Sequence, residues 1–295
     1  MIQHWKKGLI GAISLAACAQ AAGDLQAEDP RQGGSFGHLS LTHKVDVATG
    51  SQDNPSNEIS LEVNAVFVRY YDTTHSAVQT LLNIPGRPTQ EGCWLMDDTT
   101  LTEEHPDAEI ELLNAGPLLL QVGSDVRRVY PRTFPELGSL NTGAIYASEE
   151  HLHQGDSPIA TSYILVAEGA ADVAAFSVEL EPQATLLIRG ISEDSTLGGE
   201  IFLDRARDLE FTWEPDNPAD TLFVDVLSGE KRLHCVTMEQ GRARILASAL
   251  LNLPPDDAAE IRVSRERRSN ITIDGFDTAD IVVRTEALPY VVRLY

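Results

Sequence analysis

The sequence predicts an all-β protein built as two tandem β-sandwiches, and three observations carry that prediction. Short apolar segments with strand-like alternation recur at intervals of roughly ten residues. Gly, Pro, Asn and Asp fall between them, where turns need residues that tolerate special backbone angles. Helical patterning is confined to one brief stretch, 77–82, with a single helical turn in "ASALLNLPP".

The first 17 residues stand outside this rhythm. Lys6 and Lys7 precede a 9-residue apolar run, Leu9 to Ala17. That run suits an export signal and is far too short to cross a bilayer, which takes about 20 apolar residues. It ends in Leu15-Ala16-Ala17-Cys18, which resembles the lipobox of bacterial lipoproteins. The resemblance covers four residues, at the correct place in a signal. It implies that Cys18 becomes the first mature residue and carries acyl chains on its thiol and its new amine. Each buried methylene contributes about 0.8 kcal/mol, so three chains would anchor the protein firmly in a lipid bilayer. Ala19 follows in place of the aspartate that resembles an inner-membrane retention signal, so the expected location is the outer membrane.

Residues 18–57 are polar and glycine-rich ("AAGDLQAEDPRQGGSFG", "TGSQDNPSNE") and read as a flexible tether, with Leu39 to Val47 as one short strand inside it. The first sandwich is expected over 58–182. It opens with the alternating Ile59, Leu61 and Val63 and continues through "AEIELLNAG", "PLLLQVG", "VRRVYPRTF", "GAIYAS", "SYILVAEG" and "VAAFSVEL". The second is expected over 183–295, from "ATLLIRG" to "DIVVRT". Within it "FVDVLSGEKRLHC" reads as a hairpin turning at Ser228-Gly229, and Leu209, Phe211 and Trp213 point to one face, making Trp213 a core anchor. The halves end alike, in "ILVAEGAADVAAFSVELEP" and "ITIDGFDTADIVVRTEALP", a hint of duplication and of a boundary near Pro182. In pattern the pair resembles the immunoglobulin-like sandwiches of exported bacterial proteins; fold does not give function.

Composition narrows the partners. The chain has a formal charge of −23, and loss of Lys6 and Lys7 with the signal takes it to −25. Such a surface repels nucleic acid, so none is expected as a partner. Apart from Cys18 the cysteines are Cys93 and Cys235. In an oxidising compartment they either pair, stapling the two halves, or stay as two separate buried thiols.

Candidate sites are weak. His151 and His153 in "EEHLHQGD" would share a strand face at a spacing found in some zinc and copper sites, with Glu149 or Asp156 as a third ligand. Asp216 and Asp220 in "EPDNPAD", and the "DGFD" of residues 274–277, are acidic loops that calcium could use, although turn chemistry alone accounts for them. "RVSRERRS", residues 262–269, is a basic island that reads as a solvated hairpin end. There is no His-Glu-x-x-His and no phosphate loop or dinucleotide fingerprint. The expectation is therefore a lipid-anchored, non-enzymatic envelope protein, without cofactor, that binds or spaces an envelope protein or polysaccharide. A calcium- or zinc-dependent ligand or carbohydrate binder, and a hydrolase with a dispersed acidic site, are the alternatives.

Overall fold

A computed structural model describes residues 33–47, 57–88, 90–96, 109–134, 143–148, 152–153, 162–191, 196–197 and 200–295. The chain is all-β, as its alternation predicts. A 14-stranded sheet forms the backbone of the fold. Seven of its strands run side by side in the order Gly92–Met96, Lys231–Met238, Thr221–Ser228, Asp256–Ile271, Thr278–Glu286, Gly33–Val47 and Asn57–Tyr71. All these pairings are antiparallel except Gly33–Val47 with Thr278–Glu286, which is parallel.

Two smaller sheets pack on one face of this large one. A four-stranded sheet places Leu118, Leu120, Tyr163 and Leu165 against Leu39, Leu61, Phe67 and Ile281. A three-stranded sheet of Ile188–Ile191, Leu209–Trp213 and Arg242–Ile245 places Phe211 and Trp213 against Leu222, Val224, Ile261 and Val263. The result is two apolar cores, each sandwiched against a common sheet.

Two boundaries of the sequence reading change. Residues 33–47 belong to the sheet, because Leu39 and Leu41 alternate into the first core at 0% and 2% exposure. Intervening polar residues on the other face made that strand read as a tether. The division at 182/183 also gives way: Ala279, Ile281 and Val283 complete the first core from the C-terminal half, and residues 32–295 form one compact unit. The pattern of apolar segments reveals two cores but not that one sheet serves both, since long-range pairing leaves no local mark. The two similar endings are indeed both hairpins, with Gly169 and Gly275 at φ +85° and +88°. They lie in different sheets, so the fold gives the duplication no support.

Local expectations fare better. Helices occupy His75–Leu81 and Ala247–Leu250, and Trp213 is buried. The 221–238 hairpin forms, but its turn centres on Gly229 and Glu230, since Ser228 pairs with Lys231. Gly229 takes φ +57°, which a glycine adopts without steric cost.

His43 is the polar exception within the first core. Its ring meets Tyr163 edge-on at 5.1 Å, and its Nε2 has no hydrogen-bond partner. Burial pushes its pKa down from 6.5 to about 4. The unfolded chain therefore takes up the proton first as pH falls, so the titration of this histidine costs nothing above pH 6.5 and progressively destabilises the fold from there to about pH 4. The full effect is about 3 kcal/mol. Urea midpoints of wild type and His43→Leu, measured across that range, should diverge as pH drops, with the variant losing less. Parallel curves would show that His43 does not titrate this way.

Candidate functional site

The other face of the large sheet carries charge. Alternation along Thr221–Ser228 sends Leu222, Val224 and Val226 inward and leaves Phe223 and Asp225 on this outer face. The register then lines up Asp225, His234 and Trp94 across three adjacent strands. His234 Nδ1 donates to Asp225 Oδ1 at 2.7 Å, and Arg232 reaches both Asp225 oxygens at 2.8 Å. Burial opposes ionisation of Asp225, but the hydrogen bonds from His234 and Arg232 outweigh it and hold the carboxyl below its ordinary range. The imidazole stacks on Phe223, with centroids 5.5 Å apart, and Trp94 tilts over it at 6.5 Å. Arg284 lies 5.8 Å from the Phe223 ring centre, a cation–π distance.

A strap roofs part of this face. The His75–Leu81 helix docks Val78 onto Phe36, Val66 and Val68. The chain beyond it crosses toward Gly92–Met96, stiffened by Pro85 and Pro88. Arg268 ties it down by donating to the Pro85 carbonyl at 3.0 Å, and Glu91 accepts from the Met238 N–H at 2.8 Å. Two hollows flank Arg87 of this strap. The larger, about 740 Å³, lies over the Asp225–His234–Trp94 row; the smaller, about 350 Å³, contains His75, Arg268 and Asp280. An ionic ladder connects them, running His38–Asp280–Arg268–Glu266–Arg284 with separations of 2.8–3.1 Å.

The larger cleft is electropositive in an acidic protein. Three guanidinium groups, Arg87, Arg232 and Arg284, line it against one carboxylate, Asp225. Arg232 is spent on Asp225 and Arg284 leans on Glu266, but Nε of Arg284 is buried without an acceptor. Arg87 is exposed and makes no ion pair among the described residues. The Trp94 side is half open, with the tryptophan 42% exposed and Met96 43%. This arrangement can hold an anion beside a flat apolar surface. It offers His234 no serine partner: Ser264 stands opposite Phe223, with the whole Thr221–Ser228 strand between it and His234.

The sequence-predicted residues fall elsewhere. Cys18 and His151 lie outside the described residues; His153 pairs through its backbone with Ser60 in a two-residue strand. Asp220 is buried, and the exposed Asp216 shares its cation. Arg267 donates to Asp220 at 2.8 and 3.0 Å and to Asp216 at 2.9 Å, so their charge is already matched. Asp277 accepts from the Ser35 N–H and hydroxyl. Among the described residues no group of three His, Cys, Asp or Glu side chains converges on a metal position. Residues 262–269 form no hairpin end but the middle of the central strand Asp256–Ile271. Cys93 and Cys235 are disulfide-bonded across neighbouring strands.

The cleft residues were missed because "GCWLM" is short and its neighbour in the sheet lies 142 positions away. One signal existed: the hairpin places Asp225 and His234 opposite each other once its turn is centred on Gly229-Glu230. Neither family models, nor characterised proteins, nor solved structures gave a match to the chain.

Proposed function

We propose that the protein is a lipid-anchored envelope protein whose work is to bind a ligand in the cleft over Asp225, His234 and Trp94. The observation that carries the binding reading is that cleft: a positive, aromatic-floored hollow of about 740 Å³, within the usual size of small-molecule sites. Asp225, His234 and Arg232 fix one another and leave no nucleophile paired with a base, which favours binding over catalysis. The anchor reading rests on Leu15-Ala16-Ala17-Cys18. The Cys93–Cys235 bond supports export, because such bonds persist in oxidising compartments.

Cell fractionation tests the anchor. Cys18→Ser cannot form the thioether, so the variant should leave the membrane fraction or remain unprocessed, while the wild-type mature N-terminus should be an acylated cysteine by mass spectrometry. A free N-terminus beyond Cys18 would mean simple secretion. Affinity isolation from native membranes tests the cleft: an envelope component retained by wild type should be lost with Trp94→Ala. Equal retention would move the binding function away from this cleft.

A further inference from the structure

We propose that the cleft recognises an acidic sugar, a saccharide unit carrying one carboxylate, with its ring face on Trp94 and its carboxylate on Arg87 and Arg284. The inference rests on the binding reading above and names the ligand's chemistry.

Three independent features of the lining converge on that class. The first is charge. A chain of formal charge −23 places three guanidinium groups and one carboxylate in this hollow. Arg87 pairs with no acid among the described residues, and the Arg284 guanidinium, 29% exposed, gives one amino group to Glu266 and keeps donors for a ligand. A guanidinium presents parallel N–H donors to a carboxylate, so an arriving carboxylate supplies what both arginines lack.

The second is shape. Trp94, His234 and Phe223 make a stepped aromatic floor, with Trp94 as its outermost, solvent-reached member. An exposed indole flanked by polar groups suits the weakly apolar C–H face of a sugar ring, which needs a flat partner and hydrogen bonds around its rim.

The third is the rim itself. Asn83, Gln90 and Ser264 line the cleft, and none of their side chains hydrogen-bonds to another described residue. Uncharged amides and a hydroxyl that both donate and accept are the natural counterparts of sugar hydroxyls. A purely aromatic anion would leave them unmatched, and a neutral sugar would leave the arginines unmatched. A single carboxylate also fits the wider field, since a chain of formal charge −23 disfavours a ligand of high negative charge.

The test uses the mature chain and the intrinsic fluorescence of Trp94, because Trp213 is buried in the second core. The probes are glucuronic, galacturonic, N-acetylmuramic and N-acetylneuraminic acids, each titrated beside its neutral counterpart: glucose, galactose, N-acetylglucosamine and N-acetylmannosamine. At least one acid should change the fluorescence and bind at least tenfold more tightly than its neutral counterpart. Arg87→Gln, an exposed change that breaks no ion pair among the described residues, should weaken that binding about tenfold, and Trp94→Ala, read by calorimetry because it lacks the reporting indole, should abolish it. If all four acids fail, or bind no better than the neutral sugars, or bind Arg87→Gln unchanged, the acidic-sugar assignment is overturned. Should the membrane component still be lost from Trp94→Ala in that event, the cleft remains a binding site for another class of ligand; if that component is retained too, both readings fall.

Discussion

Glu239→Ala is expected to destabilise the protein by about 3–5 kcal/mol, the range for breaking a buried ion pair from one side. Glu239 and Arg265 are both fully buried, with Arg265 Nε 3.2 Å from Glu239 Oε2. The guanidinium also donates to the carbonyls of Ala184 and Glu214, and Trp213 Nε1 donates to Glu239 Oε1 at 2.6 Å. Beside them Arg267, Asp220, Gln183 and Thr285 form a linked polar set in the seam between the two apolar cores. Removing the carboxylate leaves a buried cation without its counter-ion and an indole N–H without its acceptor. Glu239→Gln should cost less than alanine, since the amide oxygen still accepts, yet remain clearly destabilising because the charge is gone. The double change Arg265→Met with Glu239→Leu removes both charges and should recover much of the loss. Urea unfolding of all three, with Glu239→Ala within 1 kcal/mol of wild type, would show that the seam is hydrated in solution and contributes little.

That seam shows where the sequence could be read and where it could not. The period-2 pattern of "EIRVSRERRS" puts Arg265 and Arg267 on the same face as Ile261 and Val263, so the alternation already pointed them inward. Their charge argued for solvent, because no local feature shows that Glu239 and Asp220 arrive from other strands. The same reasoning explains the fold. Leu209, Phe211 and Trp213 identify a buried strand face from local alternation alone. The pairing of Gly33–Val47 with Thr278–Glu286 joins residues some 240 positions apart and is invisible to any window on the chain. The cleft is harder still. Arg87, Trp94, His234 and Arg284 come from four separate segments, and only the Asp225–His234 register lies within one hairpin.

The Cys93–Cys235 bond ties one of those segments in place, and its loss should carry the other large effect. The bond closes a loop of 142 positions, and the chain-entropy relation assigns about 5 kcal/mol to a loop of that length. For a chain of this size that corresponds to a fall in Tm of about 10 °C. The native side of the balance limits the figure. Gly92–Met96 hydrogen-bonds to Lys231–Met238 and lies at the end of the sheet, so without the bond it can detach before the rest unfolds. Two consequences therefore separate in experiment. The Cys93→Ala/Cys235→Ala protein, or wild type under reductant, should melt well below the oxidised form. At temperatures where both remain folded, it should also lose the cleft's affinity and show faster amide exchange along Gly92–Met96, because Trp94 sits one residue from Cys93 and faces His234 only while that strand is paired. A Tm within 2 °C of the oxidised protein, with the strand still protected and ligand affinity unchanged, would mean that backbone pairing alone holds Trp94 over the cleft.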